Sequence, residues 1–227
     1  MVDLHCILHV ECRPGEPELS LTLPSEIPLF PLSNVVLFPD VYLPLHVFED
    51  RYRAMTRDAL AGSTLIGMAV LREGWQEVQA GAPPIYATGC AGAIVHHEPL
   101  DDGRFNIVLQ GVSRFEVVSE PPTTTPYRIA QVRWHEEADA TGDRMPLTRL
   151  RRQVEALLLP AVARGEVRMP QGMSDQALIN AVCQALDVSV VEKLALLEKS
   201  DVLTRGTALL PILERLLISR PGSGRIH

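Results

Sequence analysis

Between Ile27 and Leu60 the chain changes period. The first half, IPLFPLSNVVLFPDVYLPLHV, is apolar and β-leaning, and Pro28, Pro31, Pro39 and Pro44 interrupt it. Proline has no backbone N–H, so within sheets it is expected at edges, bulges and strand starts. The pattern therefore predicts short strands that bend often rather than one long central strand. From Phe48 the apolar positions step by four, three and four through Tyr52, Met55 and Ala59, which is one face of a helix. Glu49 and Asp50 are placed in its first turn, where the macrodipole favours negative charge.

Further along, Leu65–Leu71 is a short apolar run bounded by Gly62-Ser63 and Glu73-Gly74, and reads as a buried strand. Trp75–Pro84 reads as a loop. Ala91–Glu98 is a strand, and Asp101-Asp102-Gly103 is a hairpin turn because glycine accepts positive φ. Phe105–Gln110 returns antiparallel. Gly111 is expected to interrupt that strand with a bulge before Phe115–Val118, and Pro121-Pro122 ends it. Tyr127–Trp134 is the last strand. Short strands separated by turns and bulges predict a small curled barrel. Leu19, Leu21 and Leu23 alternate with polar neighbours and suggest a strand leading in.

After a polar connector at Ala138–Asp143 the helical period takes over. Leu147, Leu150, Val154, Leu157, Leu158 and Ala161 share a face, with Gly165 and Pro170 marking its end. Ser174 is an N-cap for a second helix carrying Ala177, Leu178, Ala181, Val182, Ala185 and Leu186. Ser189 and Glu192 fit a capping box opening a third, with Leu194, Leu197 and Glu198 in it. Asp201 opens a fourth, which runs to about Ser219 with a kink expected at Pro211. The fold class is α+β, a curled, mostly antiparallel β barrel followed by a small helical bundle. Expected boundaries are an N-terminal extension over 1–23, the barrel over 24–140 with one helix near 48–61, the bundle over 144–219, and a disordered tail over 220–227.

Composition refines this. Aromatics are only 5% of the 227 residues, so the core is built from Val, Leu, Ile and Ala. The net charge of −7 is unevenly spread. Residues 1–143 hold 9 basic against 20 acidic residues, a net of −11, and residues 144–227 hold 12 against 8, a net of +4. An acidic barrel disfavours phosphate backbones. Only the helical half offers a basic stripe, through Arg144, Arg149, Arg151, Arg152, Arg164 and Arg168. Cys6, Cys12, Cys90 and Cys183 lack a disulfide-scaffold spacing, which fits a reduced, cytoplasmic chain. No stretch is long and apolar enough to span a membrane.

The segment LPLFPLxxVVLFPxxxLPLHVFExRYRxM, in this chain from Ile27 to Met55, resembles the opening of the Lon N-terminal domain, the substrate-recruiting part of the ATP-dependent Lon protease. The resemblance continues through GCAGAIVHHEPLDDGRFNIVLQGVSRFEV at Gly89–Val117, PYRIAQVRW at Pro126–Trp134, and Val190–Leu217, covering about residues 24 to 218. It implies a PUA-like pseudo-barrel, in a stand-alone bacterial form without ATPase or peptidase domains. The residues that carry it, and that it marks as structural, are Pro39, Pro44, Glu49, Arg51, Tyr52, Gly103, Arg104, Gly111, Arg114 and Phe115. Arg51 is expected to pair with an acidic loop group. The resemblance also implies a receptor for unfolded or tagged polypeptide.

Candidate chemistry is sparse. No G-x-x-x-x-G-K-[ST] motif occurs. The only lysines are Lys193 and Lys199, and Ser200 beside Lys199 is a helix neighbour that does not face it, so a Ser–Lys dyad is disfavoured. His5, Cys6, His9 and Cys12 have donor types that suit Zn²⁺, but they sit in a strand-prone terminal segment, and neither metal nor cofactor is expected. His96 and His97 point to opposite faces of a strand, one half-buried and one solvated, and cannot chelate together. The leading reading is a non-catalytic module that binds an unfolded or partly folded polypeptide, or a partner protein, by strand addition beside a cleft between barrel and bundle. Its candidate lining residues are Leu45, His46, Phe48, Trp75 and Tyr86. The alternatives are a hydrolase using His46 or His97, and weak RNA binding through the basic helices. Oligomeric state stays open.

Overall fold

Every position of the run Leu65–Val70 is buried, as a strand covered on both faces requires. The computed structural model describes residues 23–77, 82–137, 144–165 and 172–219. The strands are β1 (Glu26–Leu32), β2 (Tyr42–Val47), β3 (Leu65–Val70), β4 (Thr88–Pro99), β5 (Phe105–Ser119) and β6 (Arg128–His135). The helices are α1 (Asp50–Ala61), α2 (Met145–Ala163), α3 (Asp175–Ala185), α4 (Val190–Leu197) and α5 (Val202–Ser219), with a 3-10 turn at Trp75–Glu77.

The sheet order is β2-β5-β4-β3-β1-β6, and β6 also pairs with β5. Five strands thus return on themselves and β2 lies outside them, paired to β5 alone. All pairings are antiparallel except β1–β3. The length of β5 permits this: Phe105–Gln110 pairs with β2, and Arg114–Ser119 pairs with β6. The bulge expected at Gly111 is present and the strand continues through it: Gly92 pairs with Gly111 and Ala91 with Ser113, which leaves Val112 as the extra residue of β5. The Phe38–Val41 loop lies across Gly111, with Asp40 N–H donating to the Gly111 carbonyl and Gly111 N–H to that of Val41, both at 2.9 Å. A Cβ on Gly111 would sit 2.0 Å from the Phe38 carbonyl oxygen, so the crossing admits only glycine.

Two expectations about prolines and helix starts are corrected. Pro28 and Pro31 lie in β1, which is bordered on both sides. Staggered registers reconcile this: residues 26–29 pair with β6 and residues 29–32 with β3, so each proline borders one strand. Helix α1 begins at Asp50, two residues after Phe48, where the periodicity starts. Glu49 is its N-cap and makes no capping side-chain bond. Tyr52, Met55 and Ala59 do form the buried face, but Phe48 precedes the helix and is 60% exposed.

The bundle follows its capping signals. The Ser174 hydroxyl accepts from Ala177 N–H. Ser189 and Glu192 form the reciprocal capping box, and Pro211 lies inside α5. One apolar core runs from the barrel (Phe30, Phe38, Leu109) into the helices (Leu150, Leu194, Leu209). A second cluster, Ile27, Leu29, Ala91, Phe115, Ala130 and Val132, lies on the other face of the sheet, its members alternating with those of the first along β1 and β4 (Leu29 beside Phe30, Ala91 beside Cys90). The segment holding His5, Cys6, His9 and Cys12, the leading strand to Leu21, the 138–143 connector, Arg168, Pro170 and the 220–227 tail lie outside the described residues.

Candidate polypeptide-binding surface

At the junction of bundle and barrel, where the sequence suggests a cleft, the described residues place a set of buried polar groups. Arg114 on β5 donates from Nε to Glu137 Oε1 at 3.0 Å, and from its two terminal nitrogens to the Leu197 and Ser200 carbonyls at the end of α4. Arg205 on α5 is fully buried; it donates to the same Glu137 oxygen, to Asn180 Oδ1 at 2.6 Å and to the Leu196 carbonyl at 3.2 Å. Two guanidiniums thus share one carboxylate. From α3, Asn180 donates to the Pro39 carbonyl, Gln176 to Asp40, and Gln184 to the Tyr42 carbonyl while accepting from Phe38 N–H. Burial raises the Asp40 pKa from its ordinary value; the Gln176 bond acts in the opposite direction. Of these groups the sequence reading singled out Pro39 and Arg114, as structural positions. A signal for Arg205 was present, since it is the one charge in the apolar stretch Val202–Leu213. Nothing local points to Glu137.

The open surface lies where β2, β5 and β4 extend past β3. The β3–β4 ladder stops at Leu65 opposite Ala93, with one further bond from Ile94 N–H to the Thr64 carbonyl. Residues 95–99 of β4 then have β5 on one side and no described strand on the other, and all five are exposed. This corrects the expectation that one of His96 and His97 is half-buried. The other free edge, β2, is closed to pairing at two points: Gln184 occupies the Tyr42 carbonyl, and Pro44 has no N–H.

Across this tip runs a hydrogen-bonded row. His46 stands opposite Asn106, which stands opposite Glu98. Arg104 donates to His46 Nε2 at 3.2 Å, which leaves Nδ1–H to donate to Asn106 Oδ1 at 2.8 Å. Asn106 Nδ2 donates to Glu98 Oε2 at 2.8 Å, and Arg104 also pairs with Asp102. Asn106 and Glu98 were not foreseen, because their partnership depends on the register. The rings of His46 and Phe48 are stacked with centroids 6.2 Å apart. Leu45 is half-buried, packed against the main core. Gly103 closes the β4–β5 turn at φ 79° and Arg53 donates to its carbonyl at 2.7 Å, tying the tip to α1. Arg51 pairs with Glu49 at 2.7 Å rather than with a loop carboxylate, and its guanidinium lies 4.5 Å from the centre of the Tyr52 ring.

Trp75 and Tyr86 belong to a different place. Tyr86 N–H donates to the Val70 carbonyl at the end of β3, and the Arg72 guanidinium stands 5.4 Å from its ring centre. Trp75 opens the 3-10 turn after β3 and is half-buried. Strands β5 and β4 separate this pair from Leu45, His46 and Phe48.

The sites considered for catalysis are otherwise engaged. Lys193 Nζ donates to the Gln184 carbonyl at 2.8 Å, and burial lowers its pKa. Ser200 donates to Asp201. Cys90 and Cys183 are buried thiols whose pKa values burial pushes up, that of Cys183 to about 12. Arg151 is held by Glu155, Asp175 and the Met173 carbonyl.

Residues 26–215 match the family described as the ATP-dependent protease La (LON) substrate-binding domain. Lon protease 2 of Myxococcus xanthus is 32% identical over 206 residues, which cover 85% of this chain and 24% of that protein. Lon protease of Anaeromyxobacter dehalogenans is 29% identical over 204 residues, with 85% and 23% covered. The chain therefore spans about a quarter of the length of these relatives. Among solved structures, a Lon N-terminal domain protein from Xanthomonas campestris superposes with a TM-score of 0.59 at 25% identity, covering 87% of this chain and all of that one. The N-terminal domain of a Mycobacterium avium complex Lon protease gives 0.62 at 19% identity over 86% of this chain and 99% of that one, a likeness of fold.

Proposed function

Because the chain belongs to the ATP-dependent protease La (LON) substrate-binding domain family, we propose that it is a binding module that holds extended polypeptide and turns nothing over. The observation that carries this reading is the projecting tip, where an exposed strand edge at 95–99 and an exposed aromatic at Phe48 frame one surface. A strand edge offers main-chain donors and acceptors to any sequence, which suits a receptor for unfolded chains. Phe48 and His46 supply apolar and aromatic contact beside it, where side chains of the guest gain by leaving water. Trp75 and Tyr86 form a separate second contact in this reading. The hydrolase alternative is weaker because the His46 ring is spent on Asn106 and Arg104. The RNA alternative is weaker because Arg151 is committed to two carboxylates.

The test is fluorescence anisotropy with a labelled, permanently unfolded polypeptide. Binding is expected with a dissociation constant on the order of 1 µM. Phe48→Ala is expected to weaken it by about tenfold, the loss of an interface anchor. Unchanged binding by Phe48→Ala removes the tip from the site, and unchanged binding by Trp75→Ala removes the second contact.

A further inference from the structure

The β1–β6 ladder ends for a chemical reason, and a pocket opens where it ends. Val132 N–H donates to the Ser25 carbonyl at 2.9 Å. Antiparallel ladders alternate, so Ser25, Ile27 and Leu29 turn their backbone groups toward β6 while Phe30 and Leu32 turn theirs toward β3. The bond from Leu71 N–H to the Leu32 carbonyl at 3.0 Å confirms the alternation. Pro31 is the next β1 residue to face the β6 side. Continuing the register of Leu29 opposite Arg128 sets Pro31 opposite Pro126. Neither residue has an N–H, so no cross-strand donor is available to either carbonyl. Pairing stops at Leu29, and a cavity of about 360 Å³ lies there, lined by both prolines and by Tyr52, Pro121, Tyr127 and Ile129 among others.

The walls are largely apolar and aromatic, and the polar residues among them, Arg51, Glu120, Thr123, Thr125 and Arg128, have partners: the Thr125 hydroxyl donates to the Tyr127 carbonyl at 2.7 Å and Thr125 N–H to Thr123 Oγ1 at 3.1 Å. Arg51 pairs with Glu49, and Arg128 pairs with Glu120. Tyr127 donates to Asp58 at 2.7 Å. No uncompensated charge selects an ion. By the alternation of the ladder, the Pro31 carbonyl is turned toward the position that a ladder N–H would have filled, on the side where the pocket opens. The complementary guest is a flat apolar body with one neutral N–H on its edge. We propose that this pocket is a subsite for an indole ring, the side chain of a tryptophan in the bound polypeptide, which donates its N–H to the Pro31 carbonyl. This assignment rests on the polypeptide-binding reading only for the source of the ring. An indole N–H requires an acceptor when it is buried, and an apolar pocket without one would not distinguish indole from other rings.

The experiment titrates indole and, separately, benzofuran into the ¹⁵N-labelled full chain and follows amide shifts. Benzofuran has the same shape with an oxygen in place of the N–H. Indole is expected to shift Tyr52, Thr123, Thr125 and Ile129 and to leave His46, Phe48, Trp75 and Tyr86 unmoved, with benzofuran binding about tenfold more weakly, the value of one good hydrogen bond. Equal affinities, shifts confined to other surfaces, or no shifts overturn the proposal. Pro126→Ala restores an N–H opposite Pro31 and is expected to weaken indole binding; unchanged affinity in a variant with native amide dispersion also counts against it. Failure of the two readings is separable. Indole in the pocket without binding of unfolded polypeptide retires the receptor role and keeps the subsite, and the reverse result retires the subsite alone.

Discussion

Replacing Glu137 with glutamine removes one negative charge from the junction of barrel and bundle and changes almost nothing in volume. The carboxylate is the only one within hydrogen-bond reach of Arg114, 4% exposed, and of Arg205, 0% exposed, among the described residues. Removing one partner of a buried ion pair typically costs about 3–5 kcal/mol, because the remaining charge stays desolvated. Here two guanidiniums are left, and their carbonyl acceptors at Leu196, Leu197 and Ser200 offset only part of the loss. For a chain of this size each kcal/mol moves the melting temperature by about 2–4 °C, so Glu137→Gln is expected to lower it by about 6–20 °C. Arg114→Met costs less, about 1–3 kcal/mol, because Glu137 keeps Arg205. The assay is urea unfolding followed by circular dichroism at 222 nm for the helices and by Trp134 fluorescence, in a Trp75→Phe background, for the barrel. Trp134 reports the barrel because its indole donates to the Pro24 carbonyl at 2.8 Å. The parent is expected to give coincident transitions, since one core runs through both parts. In Glu137→Gln the helical signal is expected to move first. A loss below about 1 kcal/mol would refute the reasoning, as that is the scale of an exposed ion pair. Replacing Arg114, Glu137 and Arg205 together by apolar residues is expected to recover most of the loss, because the desolvated charges are then absent.

Two further outcomes follow from single residues. Asp40→Asn is expected to stabilise the fold near neutral pH. The native carboxyl pKa is raised by burial, so the contribution of the protonated form is full below the unfolded value near 3.8 and is lost as pH rises through the folded value. The melting-temperature advantage of the asparagine variant should therefore shrink as pH falls through that window, and a pH-independent gap contradicts it. Asparagine also suits the φ of 62° at this position and retains the acceptor for Gln176. Ser189→Ala removes the hydroxyl that accepts from Glu192 N–H, leaving the backbone half of the capping box, and is expected to cost about 1 kcal/mol, with faster amide exchange in the first turn of α4.

Local chemistry made much of the fold legible. The Asp101-Asp102-Gly103 turn, the Ser174 cap and the Ser189–Glu192 box depend on residues within a few positions of each other, and they lie where the sequence places them. The same holds for the barrel-then-bundle order. What was not legible depends on register and distance. Phe48 continues the helical period of Tyr52 and Met55, yet the helix starts after it, and periodicity alone cannot locate a start that lacks a side-chain cap. The exposure of His96 and His97 reflects how far β3 extends, which is not encoded near them. Arg114, Glu137 and Arg205 lie 23 and 68 residues apart in sequence and meet only when the bundle docks. Pro31 reads as a strand-bender and Pro126 stands just before the last strand, and only the β1–β6 register sets them against each other. Of the candidate contact residues, Leu45, His46 and Phe48 are sequence neighbours and stay together, whereas Trp75 and Tyr86 were grouped with them without any local reason and lie two strands away.

The most direct measurement mixes the purified chain with a labelled unfolded polypeptide and reads two quantities from one sample, anisotropy for binding and gel mobility for the integrity of the label, with and without ATP. The account predicts saturable binding that is indifferent to ATP, with the polypeptide recovered whole. Fragments that accumulate with time, or anisotropy that never rises above that of the free label, would contradict it.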